Sequence, residues 1–151
     1  MFFQHIAPVM QAIGSLFETI DPENYRRYSE RYLELDANTT LRLFTASQHA
    51  CFVGNACLVG LKCELHRDVR DTEDGWVADV AFGDFDKGNL QVPQLGLEID
   101  LKPPGVVFMR SKTLWHAIGE VSRGLRYSMV SFTYAGMIDM QKMTPEEEEE
   151  E

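Results

Sequence analysis

The chain has 151 residues, of which 44% are apolar and 25% charged, an ordinary balance for a soluble globular protein and a length that suits one domain around one core. Its formal net charge is −10, but the terminal run Glu146–Glu151 supplies six of those charges and leaves −4 on the rest, which gives no support to non-specific DNA binding through gathered cations. No apolar run approaches the roughly 18–20 residues of a membrane span, and the N-terminal MFFQHIAPVM lacks the basic flank of a secretory signal, so an intracellular protein, nuclear or cytoplasmic and without a membrane partner, is expected.

From the N-terminus, Ile6, Val9, Met10, Ile13, Leu16, Phe17 and Ile20 recur three and four apart, which predicts an amphipathic helix. The run DPEN at 21–24 ends it and starts another, with Asp21 as N-cap and Pro22 at the first helical position. On this second helix Tyr25, Tyr28, Tyr32 and Leu35 share one stripe, which is read as core packing. The two helices together are expected to span about residues 4–36.

Beyond Asn38 the pattern changes to short apolar runs divided by Gly, Pro, Asn and Asp, which predict strands and turns. Strands are expected at roughly 50–54, 57–65, 76–82, 89–92, 96–101, 105–110, 113–118 and 125–134. In the fifth of these, Leu97, Ile99 and Leu101 alternate with Glu98 and Asp100, the period of a half-buried strand, and PPG at 103–105 is a strong turn signal. No helical pattern separates the strands. A mainly β chain of the α+β class is therefore expected, an antiparallel sandwich or barrel over about 40–135 behind two N-terminal helices. With no internal repeat or linker, residues 1–140 read as one domain, and 141–151 as a disordered acidic tail whose glutamates repel one another. The three cysteines Cys51, Cys57 and Cys63 form no CxxC pair and leave an odd thiol, so they are read as reduced and mostly buried.

The stretch ELHRDVRD at 64–71 is either a solvated turn or half of a metal site. On an extended segment His66 and Asp68, two apart, leave the same face. The remaining histidines are His5, His49 and His116, and His116, in the strand-like LWHAIG, lies far enough along for an antiparallel sandwich to return it beside the first pair. Two imidazoles and one carboxylate on one side of an ion make a facial triad, which suits ferrous iron with open positions. Downstream, GLRYSMVSFTY at 124–134 puts Arg126 and Ser128 on one strand face with Val130 and Phe132. An inward arginine needs a carboxylate, and its planar fork grips one well. That carboxylate is either an internal Asp or Glu, or one end of a small dicarboxylate.

Together, H-x-D, a distal His and R-x-S ten residues beyond it resemble the iron- and 2-oxoglutarate-dependent dioxygenases. More narrowly, the run LHRDVRDTEDGWVADVAF and its continuation to Glu120, followed by GLRYSMVSFTY and preceded by IDPENYRRY, is similar to fungal dioxygenase-like proteins grouped with the Tet/JBP oxygenases. The resemblance covers about residues 12–134. It implies a double-stranded β-helix, or jelly roll, with His66, Asp68 and His116 as Fe(II) ligands, Arg126 on the distal carboxylate of 2-oxoglutarate and Ser128 assisting. It further implies hydroxylation of a C–H bond using 2-oxoglutarate and dioxygen, with the methyl group of a modified DNA or RNA base, 5-methylcytosine first, as the candidate substrate; such a base must be flipped out of its stack. A cupin would need a histidine at Asp68, and prolyl-hydroxylase-like relatives a lysine at Arg126. Two other readings stand beside it: a non-catalytic jelly-roll binding or scaffolding module, and a hydrolase using another divalent ion in the same triad.

Other signals are weaker. DFDKGN at 84–89 has its glycine one position early for a calcium loop, and Leu95 stands where the bidentate glutamate belongs, so a tight hairpin is expected there. FVGNACLVG leads into no helix and makes no phosphate loop. Asp71, Glu73 and Asp74 read as decoration of a loop, with one of them a candidate for the substrate mouth. Arg67 and Arg70 could meet an anionic substrate, and Trp76, Trp115 and Tyr127 could stack on a planar one.

Overall fold

A computed structural model describes residues 2–38 and 51–138. The expected strand residue 50, His49 and the acidic tail at 141–151 lie outside the described residues. The chain divides into two compact units, one made of the N-terminal part up to Val53 with the stretch from Thr133 onward, the other of Gly54–Phe132.

In the first unit, helix α1 (Phe2–Ile20) and helix α2 (Pro22–Asn38) meet at Asp21, whose carboxylate accepts the Asn24 backbone N–H at 3.1 Å. This is the predicted N-cap, and it satisfies a donor that the first helical turn leaves open. The tyrosine stripe of α2 turns inward as expected: Tyr28 and Tyr32 are buried. Phe17 packs on Tyr28 and Phe52 with ring centroids 5.4 and 5.2 Å apart, a compact aromatic cluster of the kind that adds to plain area burial. Leu16 and Ile20, predicted on the apolar stripe of α1, are exposed among the described residues. A short helix, α3 (Ala135–Ile138), follows Tyr134 and was not legible in the sequence; its Met137 carbonyl accepts a hydrogen bond from Arg31 Nε.

The second unit is all β: β1 (Gly54–Val59), β2 (Cys63–His66), β3 (Val77–Phe82), β4 (Phe85–Lys87), β5 (Leu90–Val92), β6 (Leu97–Ile99), β7 (Val106–Met109), β8 (His116–Ile118), β9 (Val121–Gly124) and β10 (Tyr127–Phe132). They form an antiparallel sheet β1-β10-β3-β7, a second antiparallel sheet β2-β8-β5-β6 and a two-stranded ribbon β4-β9. Val77 and Met109 from the first sheet and Leu90 and Val92 from the second form one buried cluster, against which Ile99, Ile118 and Val130 pack. Each such side chain contributes about 1.5–3 kcal/mol relative to exposure. Two four-stranded antiparallel sheets sharing one core give this unit a jelly-roll-like architecture, and it follows the two helices in the chain, mainly β as expected.

Three local expectations are corrected. The predicted strand 57–65 is two strands in different sheets, because Gly60 takes a left-handed φ of 59° and turns the chain, with its N–H donated to the Arg126 carbonyl at 2.7 Å. Only glycine adopts that conformation without a steric cost. The expected hairpin at 84–89 does not form: β4 pairs with β9, while β5 pairs with β6 and β8. The positive φ of Lys87 and Gly88 sends the chain from the ribbon into the second sheet. Finally, the strand predicted at 113–118 begins only at His116, since 110–114 form a turn closed by the Thr113 and Leu114 N–H groups on the Arg110 carbonyl.

The cysteines are free, but only Cys51 is buried; Cys57, on the outward face of β1, is exposed, and Cys63 is intermediate. Burial pushes the Cys51 thiol up to about 12, and burial followed by the charges of Asp68 and Glu64 also raises Cys63. Since the thiolate is the nucleophile, iodoacetamide at pH 8 is expected to alkylate Cys57 first, Cys63 more slowly and Cys51 only on unfolding. Peptide mass mapping over time checks the order, and early labelling of Cys51 would contradict it.

Candidate metal centre and carboxylate pocket

The antiparallel pairing of β2 with β8 places His66 directly opposite His116, with ring centroids 4.3 Å apart. Asp68 lies just beyond the end of β2, where the Ser111 carbonyl accepts its backbone N–H at 3.1 Å. Its two carboxylate oxygens stand 3.5 Å from His66 Nε2 and 3.8 Å from His116 Nε2. One donor atom from each of the three residues falls within 4.8 Å of the others. Side chains up to 50 positions apart in the chain thus converge on one point.

Each imidazole is oriented through its other nitrogen. His66 Nδ1 lies 2.8 Å from the Glu64 carbonyl, and His116 Nδ1 lies 3.0 Å from the Leu114 carbonyl. A carbonyl only accepts, so the protons belong on Nδ1 and the Nε2 lone pairs are left toward Asp68, the tautomer that a metal-binding histidine requires. Burial holds His116 below the ordinary imidazole value, against the raising effect of its Leu114 hydrogen bond, which keeps it neutral and able to ligate. The side chain of His116 is only 8% exposed, against 39% for His66 and 36% for Asp68. The centre therefore has a closed inner wall and an open outer face.

In the same β unit, Arg126 is 4% exposed, Ser128 5% and Asp79 6%. Asp79 on β3 pairs across from Val130 and Val107, which puts its carboxylate on the core-facing side of the sheet. There it accepts a hydrogen bond from Arg126 Nη2 at 3.2 Å. The internal carboxylate that the sequence left open as an alternative partner for Arg126 is present. The pairing uses one guanidinium nitrogen and one oxygen, and leaves Arg126 Nε, Asp79 Oδ1 and Ser128 Oγ buried without a hydrogen-bond partner. Buried donors in this state are rare and costly. A spare guanidinium nitrogen and a spare hydroxyl two residues apart, both buried, are a donor set whose chemistry fits an incoming carboxylate, such as the distal end of 2-oxoglutarate. Burial raises the Asp79 carboxyl, and the Arg126 charge and hydrogen bond work against that rise.

Sequence reasoning missed Asp79 and Ser111. The one acid inside the apolar WVADVAF was a usable signal for Asp79. Asp71 is corrected: it does not decorate the loop but is buried, accepting a 2.6 Å hydrogen bond from Ser111 Oγ, while its own N–H is donated to the Asp68 carbonyl at 3.0 Å. Ser111 thus grips the turn that carries Asp68 at two points. The Arg67 guanidinium lies over the Trp115 ring at 5.0 Å, and that of Arg110 over Trp76 at the same distance. Tyr127 is exposed, on the face of β10 opposite to Ser128.

No family model matches the sequence, and no curated protein matches it closely enough to compare. Among solved structures, NgTET1 in complex with 5mC DNA superposes with a TM-score of 0.64 at 15% identity, over 89% of this chain. The fold is therefore TET-like. The chain spans about half, 52%, of that protein's length, and no helix among the described residues is long and apolar enough to cross a membrane.

Proposed function

We propose that the chain is an Fe(II)- and 2-oxoglutarate-dependent dioxygenase on a double-stranded β-helix, one domain over residues 1–140, grouped with the fungal Tet/JBP-like proteins that its sequence resembles. The observation that carries this reading is the convergence of His66, Asp68 and His116 with both Nε2 lone pairs turned toward one point. The two imidazoles and the Asp68 carboxylate would hold Fe(II), the carboxylate offsetting half of its charge. Arg126 would anchor the distal carboxylate of 2-oxoglutarate and Ser128 would donate its hydroxyl. When bound, iron with 2-oxoglutarate and dioxygen supplies the oxidation that puts one oxygen atom into a substrate C–H bond and the other into succinate, the co-substrate losing its first carboxylate as carbon dioxide. The chain's own part is to orient and to exclude water: the inner wall at His116 and Arg126 is buried, so electrostatic contacts there are stronger than at the surface.

For the substrate, the methyl group of a modified DNA or RNA base such as 5-methylcytosine is the proposal, in the nucleus or cytoplasm. The likeness of fold to NgTET1, whose structure holds 5mC DNA, and the stack of Arg67 on Trp115, each next in the chain to one of the two histidines, support it. The alternative is a non-catalytic jelly-roll binding or scaffolding module, favoured by the internal Asp79 partner of Arg126. Anaerobic addition of Fe(II) and then 2-oxoglutarate separates the two without any substrate. A visible charge-transfer band that requires both is expected; its absence would leave the non-catalytic module. Mass spectrometry for hydroxymethyl products on methylated DNA then tests the substrate.

A further inference from the structure

Asp79 has no place among the metal ligands, yet it occupies part of the grip that the proposed co-substrate would need. The two charges are almost fully buried, at 4% and 6% exposure, and a buried guanidinium without a counter-charge is strongly disfavoured. Their contact is nevertheless loose. It is a single Nη2–Oδ2 approach of 3.2 Å, longer than the 2.7–2.9 Å of a well-made charged hydrogen bond and short of the two-pronged pairing that arginine makes at its best. One nitrogen of the guanidinium and one oxygen of the carboxylate stay unpartnered, as does the Ser128 hydroxyl two residues along from Arg126. A purely structural ion pair would close those bonds; this one leaves the guanidinium half engaged.

We infer that Asp79 is the resident counter-ion of Arg126, a stand-in for the ligand carboxylate that keeps the pocket neutral when empty and weakens carboxylate binding when the pocket fills. The inference rests on the reading of Arg126 as a carboxylate anchor. An arriving carboxylate meets a guanidinium already neutralised, and beside it a second negative charge in a medium that screens poorly. Asp79 therefore sets the affinity of the anchor, exchanging co-substrate affinity for stability of the empty protein.

Asp79→Asn keeps the size and an accepting oxygen and removes the charge. Calorimetric titration of 2-oxoglutarate into Mn(II)-loaded wild type and D79N compares the two, Mn(II) accepting the same nitrogen and oxygen donors. Binding at least tenfold tighter in D79N is expected, with a lower melting temperature for the ligand-free variant and a larger upward shift on saturation, since a ligand stabilises in proportion to its binding. Equal or weaker binding in D79N, with wild type binding normally, would overturn the inference and leave the anchor reading intact. Failure of wild type itself to bind would overturn both. Should D79N not accumulate folded, the smaller neutral D79S carries the same comparison.

Discussion

Alanine at His66 or at Asp68 is expected to reduce Fe(II) affinity by more than about 100-fold and to bring succinate formation down to background. Groups that merely orient a metal ligand typically cost 10–100-fold when removed, and these two are placed to be the ligands themselves. The loss should occur without unfolding. Both side chains are more than a third exposed, and neither fills the apolar cluster between the sheets, so the metal-free variants should melt within about 0.5 kcal/mol of wild type, as surface substitutions usually do. Metal titration, succinate assay and thermal melting on the same preparations check all three outcomes. Wild-type iron affinity in either variant would remove that residue from the ligand set. His116→Ala should lose metal equally but also stability, because it opens a hole beside a buried wall.

Helices α1 and α2 were legible because their signals are local: spacing along α1, and a cap at Asp21 whose hydrogen bond spans three residues. Most strands were also readable, since apolar runs bounded by glycine and proline have few other uses, but β4 and β9 were not expected, and 51–53, expected as strand, is irregular. Pairing was not. Nothing in DFDKGN says that β4 bonds to β9, 36 residues downstream, in preference to its neighbour β5, because that choice is settled by how two sheets share one core. For the site, His66 could be paired with Asp68, and Arg126 with Ser128, since two-residue spacing on extended chain fixes which side chains leave together, whereas His116 joined the set through the family resemblance. The backbone carbonyls that orient the histidines carry no sequence signature at all. Any residue at 64 or 114 offers the same oxygen, and only the turn that aims it matters. Asp79 lies between these cases: an acid in an otherwise apolar strand needs a partner, but 47 residues of chain separate it from Arg126, and only the β3–β10 pairing joins them.

That pairing also sets the consequence of removing Arg126. Arg126→Leu keeps an apolar side chain in the pocket and strands the Asp79 carboxylate, 6% exposed, with no counter-charge. Breaking a buried pair from one side costs about 3–5 kcal/mol, which for a chain of this size is a fall of roughly 6–20 °C in melting temperature. The penalty has a definite pH sense. Burial already raises the Asp79 carboxyl above its ordinary value, and loss of the arginine removes what held it down, so the folded variant binds a proton more tightly than the unfolded chain does. Its deficit therefore grows as pH rises from the ordinary carboxylate value through the raised one, is constant above, and shrinks on acidification. Removing both charges separates the two roles of the pair. The double variant Arg126→Leu, Asp79→Leu should regain most of the lost stability, as replacement of a buried ion pair by apolar groups often does, yet it should bind 2-oxoglutarate no better than the single variant, because no cation remains to hold the distal carboxylate. Melting curves at pH 5 and pH 8 with calorimetry on wild type and both variants test this. If the double variant bound 2-oxoglutarate like wild type, Arg126 would be a structural residue only, and the carboxylate anchor would have to be sought elsewhere in the sandwich.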